Sequence, residues 1–265
     1  MGVVNVTPDS FSDGGLFLDS AAAVAHGEGL VREGAGIVDV GGESTRPGAE
    51  PVPAGVELER VVPVVEGLRH HQVSIDTRKA SVAEAAIQAG ARIVNDVSAF
   101  RHDPEMAGLV ASAGAGCCLM HMCGDDPRTM QADPVYDDVV SDVRAFLEER
   151  LEFAVSEGVA EEKVWLDPGI GFGKTVEHNL ELLRRLDEIV AIGRPLVIGT
   201  SRKSFLGKLT GREAPERVAG TVATNVIALE RGASIFRVHD VAANVEALTV
   251  AAATLSGQWN RTPTT

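Results

Sequence analysis

Eight short apolar runs recur along the chain, each leading into an amphipathic stretch, and this alternation limits what the chain can fold into. The runs are residues 2–6, 37–40, 73–75, 92–97, 117–120, 164–166, 195–198 and 235–238. They are rich in Val and Ile and lack polar alternation, the pattern of strands covered on both faces. The stretches between them, residues 20–33, 54–69, 81–89, 104–113, 136–157, 175–190, 214–231 and 242–255, read as helices. Strict strand-then-helix order admits an open doubly wound sheet or a closed barrel. Eight units in 265 residues predict the barrel. The expected fold is thus α/β, a single (β/α)8 barrel over residues 1–258, with residues 259–265 a disordered tail.

The polar residues at the end of each run are as informative as the run itself. The first ends in Asn5 and Thr7, the second in Asp39 and Glu43, and the third in Asp76. The fourth carries Asn95 and Asp96, the fifth ends in His121, and the sixth in Asp167. Ser201-Arg202-Lys203 comes after the seventh, and the eighth gives Arg237, His239 and Asp240. In a parallel barrel all these positions share one end, where the loops after the strands build the active site. A lone polar group there is an ordinary helix cap. Asp240 and Ser81 are read that way, Glu43 as a loop support, and His121 as ordering its own loop. Eight such ends in a row are not explained by capping.

The stretch 164–174 shows the pattern best, because its apolar run breaks on Asp167-Pro168-Gly169. A P-loop would need glycine five positions before Gly173, where Pro168 stands, and a dinucleotide fingerprint would need glycine where Lys174 stands. The turn therefore presents Asp167 and is not a phosphate cradle.

A formal net charge of -14 argues against a nucleic-acid groove and an anionic membrane surface. No signal peptide or membrane-length apolar run is present. The three cysteines, Cys117, Cys118 and Cys123, lack zinc-site spacing, and the first two read as small core residues. These features predict a cytoplasmic, reduced protein.

Chemically, carboxylates and an Asn on neighbouring strand mouths suit a flat edge of adjacent N–H donors, such as an aminopyrimidine. Arg46, Lys203, Arg237 and His239 oppose them and suit a phosphorylated group. The glycine-rich loops 7–15 and 41–48 each bear a residue fit to close over a ligand, Phe11 and Arg46.

Two stretches are highly specific: Asn-Val-Thr-Pro-Asp-Ser-Phe-Ser-Asp-Gly-Gly (5–15) and Gly-Gly-Glu-Ser-Thr-Arg-Pro-Gly (41–48). With Ser-Ile-Asp-Thr (74–77), Asn-Asp-Val (95–97), Leu-Met-His-Met (119–122), Asp-Pro-Gly-Ile-Gly-Phe-Gly-Lys (167–174), Ser-Arg-Lys-Ser-Phe (201–205) and Arg-Val-His-Asp (237–240), the whole chain resembles bacterial dihydropteroate synthase, a pterin-binding TIM-barrel family. The resemblance implies a cytoplasmic homodimer and sulfonamide target. It implies joining of 6-hydroxymethyl-7,8-dihydropterin diphosphate to p-aminobenzoate in folate synthesis, with Mg²⁺ and release of pyrophosphate.

Carried onto this sequence, the resemblance assigns the pterin to Asp76, Asn95, Met120, Asp167, Phe172, Gly199, Lys203 and Arg237. Asp39 matches a motif aspartate near the pterin. Asn5, Arg46, Arg237 and His239 match diphosphate contacts, with Asn5 also a Mg²⁺ ligand. Phe11, Thr45, Pro47 and Ser204 would take p-aminobenzoate. The implied mechanism is dissociative: the leaving diphosphate is neutralised, and Asp76, with Asp13, faces the cation that forms. Arg46 and Lys203 complete the catalytic set.

Family members normally have more residues before the first strand, closing the barrel bottom, so a truncated chain or late start is expected. Two rivals are a folate-to-cobalt methyl transferase of the same barrel type and a pterin-binding paralogue without turnover. The first has no use for the diphosphate set, and the second would be expected to lose Arg46, Lys203 or His239, all present here.

Overall fold

A computed structural model describes residues 1–7, 20–44, 50–124, 130 and 134–258. All eight expected strands form: β1 (Gly2–Asn5), β2 (Val38–Gly41), β3 (Val73–Asp76), β4 (Ile93–Asp96), β5 (Gly116–Met120), β6 (Val164–Asp167), β7 (Val197–Ile198) and β8 (Ile235–Phe236). β1 to β6 pair in sequence order, every pair parallel, and β7 pairs with β8. Two parallel bridges, Leu166 with Leu196 and Gly2 with Val238, join the ladders into a ring. At these seams Leu166 N–H donates to Pro195 O at 3.0 Å and Val3 N–H to Val238 O at 3.1 Å. Closure excludes the open sheet, which would leave two unpaired edges.

The helices form the outer layer: α1 (Ser20–Arg32), α2 (Ala54–Leu68), α3 (Ala80–Ala89), α4 (Met106–Ala113), α5 (Val139–Ser156), α6 (Val176–Arg184), α7 (Leu186–Val190), α8 (Ser204–Thr210), α9 (Val218–Glu230) and α10 (Val241–Ser256). Strand side chains alternate between ring interior and helical layer. Val4, Val38, Val40, Ile75, Val94, Leu119, Leu166 and Ile198 are buried in one cluster with Val61, Leu68, Val82, Leu147 and Leu182. Each such side chain contributes ~1.5–3 kcal/mol by leaving water. The opposite phase carries the chemistry. Asn5 registers with Gly41, Gly41 with Asp76, Asp76 with Asn95, and Met120 with Asp167.

Several local expectations need correction. The helix expected over 175–190 breaks at Arg185 (φ -109°, ψ 29°) into α6 and α7. There the guanidinium binds Asp138 at 3.0 Å and Glu188 at 2.6 Å. The 214–231 helix begins as a separate 3-10 turn, Ala214–Glu216, before α9. Ser81 is not a cap: it lies inside α3, whose N-cap is Lys79, and the Ala80 N–H donates to Asp103 Oδ2 at 2.8 Å. Asp240 stands at the N-cap of α10 but makes no capping bond, because its carboxylate is taken by Arg202. The tail 259–265 lies outside the described residues.

Candidate active site

At the mouth of the barrel one guanidinium organises the interior layer. Arg237, just beyond β8, donates from Nε to Asp39 Oδ2 at 2.6 Å and from Nη2 to Asp76 Oδ2 at 2.7 Å. Asn95 Nδ2 donates to the same Asp39 oxygen at 3.2 Å. Asp39, 0 % exposed, is thus the buttress that fixes both Arg237 and Asn95. Burial pushes the Asp76 carboxyl up to about 7, against the pull of Arg237 and with the help of nearby Asp39. Burial alone would lower the Arg237 guanidinium, but Asp39 and Asp76 together raise it.

The β6 turn supplies the facing wall. Asp167 Oδ1 accepts the Gly169 N–H at 2.7 Å, closing the turn on itself. Burial raises the Asp167 carboxyl, opposed by Lys203 and that hydrogen bond. Gly169 has φ 66°, and a Cβ there would lie 1.8 Å from His121 O. No other residue type fits without moving the backbone. Lys203 Nζ donates to Ile170 O and lies 4.6 Å from the Phe172 ring centroid. Burial pushes its ammonium down to about 8, with Asp167 pulling it back up. Val97, Met120, Met122 and Met130 form a small apolar cluster against Phe172.

These groups meet around a pocket at the barrel mouth. Asp76, Asn95, Met120, Asp167, Phe172, Gly199, Lys203 and Arg237 all line it, so every residue expected at the pterin is brought together. His239, Ser201 and Val97 complete the lining. A second cavity opens at the opposite end among Met1, Phe236, Val241 and Leu248, and no charged side chain lines it. Of these two cavities, the one at the mouth carries the charged side chains.

Other expected residues are placed differently. Asn5 ends β1 on the same rim face, two strands from Asp76, but does not line the pocket. Ser204 opens α8, exposed and outside the lining. Phe11, Asp13, Thr45, Arg46 and Pro47 lie outside the described residues. Glu43 does support its loop, accepting from Arg78 Nη2 at 2.8 Å and from Lys79. His121 reaches beyond its own loop: Lys174 Nζ donates to its Nδ1 at 2.8 Å and to Phe172 O at 3.0 Å. Burial and the Lys174 charge push that imidazole down to about 2, and burial pushes Lys174 to about 7. Ser201, to which the sequence alone gives no role, has its Oγ 2.9 Å from His239 Nδ1 and accepts the backbone N–H of His239 at 3.1 Å.

Among families of known proteins, the one described as pterin binding enzyme matches residues 1–239. Dihydropteroate synthase of Escherichia coli (strain K12) is 46% identical over 264 residues, spanning 98% of this chain and 93% of that protein.

The chain belongs to the dihydropteroate synthase family.

The solved structures agree with this membership. Xanthomonas albilineans dihydropteroate synthase with 4-aminobenzoic acid superposes with a TM-score of 0.90 at 49% identity, over 96% of this chain and 92% of that one. The Yersinia pestis dihydropteroate synthase, in a sulfonamide drug complex, gives 0.91 at 45% identity over 96% and 93%. The dihydropteroate synthase family thus accounts for the ring of eight strands.

Proposed function

We propose that this pocket holds the pterin of 6-hydroxymethyl-7,8-dihydropterin diphosphate while p-aminobenzoate displaces the diphosphate by a dissociative, SN1-like route. The observation that carries the reading is the convergence of Asp76, Asn95, Asp167 and Lys203 on one pocket. Carboxylates accept paired N–H groups, so Asp167 suits the aminopyrimidine edge, with Asp76, Asn95 and Lys203 completing the hydrogen bonds to the pterin. Met120 and Phe172 cover the ring faces. The 4-aminobenzoic acid bound by the Xanthomonas relative supports the second substrate.

An arylamine is neutral near pH 7, so the reaction needs no strong general base. The chain must instead hold charge. Asp76, as a carboxylate, faces the cation forming on the exocyclic methylene, assisted by Asp13. Arg46, Arg237 and His239 neutralise the departing diphosphate. Arg237 already spans Asp39 and Asp76, so it links the two regions. Phe11, Thr45, Pro47 and Ser204 take the p-aminobenzoate. Loops bearing Phe11 and Arg46 exclude the water that would capture the cation.

Mg²⁺ binds few protein groups beside substrate phosphates. Asn5 fits that role: it is a neutral oxygen donor on the rim face, and its side-chain amide makes no hydrogen bond among the described residues. When bound, the ion supplies Lewis-acid neutralisation of the diphosphate.

The same reading includes a homodimer in the cytoplasm. Ile227, Val250 and Leu255, exposed on α9 and α10, suit a second copy of the chain, which sedimentation would detect. Among the described residues no helix is long and apolar enough to cross a membrane. The cysteines are free thiols, which fits a reducing compartment. The functional test is pyrophosphate release from the pterin diphosphate. It is expected to require Mg²⁺ and an arylamine carboxylate; no release with all components present would overturn the reading.

A further inference from the structure

Arg202 occupies a conformation that side-chain-bearing residues rarely adopt, with φ 57°. It stands between two pocket residues, Ser201 and Lys203. Such a residue persists only where its surroundings fix it. Here four contacts do so. The Arg202 N–H donates to Thr221 Oγ1 at 3.1 Å, and Arg217 Nη1 donates to Arg202 O at 3.0 Å. The Arg202 guanidinium forks onto Asp240, with Nε to Oδ2 at 2.9 Å and Nη2 to Oδ1. Neither Arg202 nor Asp240 lines the pocket.

Asp240 is itself anchored from behind. Thr200 Oγ1 donates to Asn225 Oδ1 at 3.0 Å, Asn225 Nδ2 to Asn244 Oδ1 at 2.8 Å, and Asn244 Nδ2 to Asp240 O at 2.8 Å. Thr200, Asn225 and Asn244 are buried. The chain of bonds starts in the loop after β7, passes through α9 and α10, and ends in the loop after β8. The Arg202–Asp240 fork closes it into a circuit. A surface ion pair alone contributes little. This one joins two active-site loops through a strained backbone, beside the Ser201–His239 contact that joins them on the pocket side.

We propose that the Arg202–Asp240 pair is a positioning device: it holds residue 202 in its left-handed turn and so sets Ser201 against His239 and Lys203 into the pterin pocket. This rests on the pocket being the transfer site, which pyrophosphate release by the unaltered protein tests separately. Neither residue touches substrate; both act through their neighbours.

The test is steady-state pyrophosphate release by Arg202→Ala, Arg202→Gly and Asp240→Ala, with melting temperatures measured in parallel. Arg202→Ala and Asp240→Ala are expected to lower kcat on the order of tenfold or more, since displacing a group from the reacting centre has effects of that size. The double variant is expected to be no worse than either single one, as for residues sharing one interaction. Arg202→Gly is expected to recover to within about threefold of the starting kcat, because glycine adopts φ 57° without help. A purely structural ion pair predicts the reverse, with glycine as harmful as alanine. The proposal is overturned if Arg202→Gly is as impaired as Arg202→Ala, or if Asp240→Ala leaves kcat unchanged while the parent protein turns over.

Discussion

Arg237 holds Asp76 by a 2.7 Å hydrogen bond while its Nε engages Asp39, so one guanidinium sets the spacing of two buried carboxylates. The arrangement explains how acidic groups crowd a mouth without repelling it apart. It also leaves Asp76 poised, because burial outweighs its cationic partner and brings it to about 7.

Replacing Arg237 by Met leaves both carboxylates without that counter-charge. Breaking a buried pair costs ~3–5 kcal/mol. The Arg237 side chain is 24% exposed, so the low end of that range is expected in urea denaturation. Stability within about 0.5 kcal/mol of the parent, the usual size of a neutral surface change, would contradict the pairing.

In the proposed mechanism two groups set the pH dependence of kcat/KM. Asp76 works as a carboxylate, so activity falls as pH drops through about 7. Lys203 works as an ammonium, so activity falls as pH rises through about 8. The expected profile is a narrow bell. Lys203→Arg should move the alkaline limb upward, since guanidinium keeps its proton; an unmoved limb would show that another group sets it. Stability carries the opposite sign. The folded chain keeps the Asp76 proton up to about 7, whereas the unfolded chain releases it near 3.8, so this group's contribution falls as pH rises through that window.

Gly169→Ala forces a Cβ to 1.8 Å from His121 O, a backbone atom that cannot swing away. The β6 turn must shift, carrying Phe172 with it. Overpacking of this kind costs about 1–3 kcal/mol, added to the left-handed φ. A lower melting temperature and weaker pterin binding are expected together; an unchanged melting point would mean that the turn relaxes freely.

Much of this arrangement is legible in the sequence because barrel strands are short, doubly buried and end at one rim. Asp76, Asn95 and Asp167 therefore group together from the sequence alone. The features that escape a reading of the sequence depend on side chains that meet from distant segments. The break at Arg185 has no Gly or Pro to announce it and depends on Asp138, far away in the chain. Asp39 reads as one more rim acid, yet it faces inward as the support for Arg237 and Asn95. Ser81 has the right composition for a cap, but Asp103 reaches the helix N-terminus first. Lys174 gives no hint that it ties His121 to the Phe172 turn.

The claim that this ring of acceptors is a pterin site is tested most directly by calorimetry of a bare pterin with the parent protein and Asp167→Asn. An amide offers one acceptor where the carboxylate offers two, so affinity is expected to fall by ~1–3 kcal/mol. Equal affinities would remove Asp167 from the site and contradict the account.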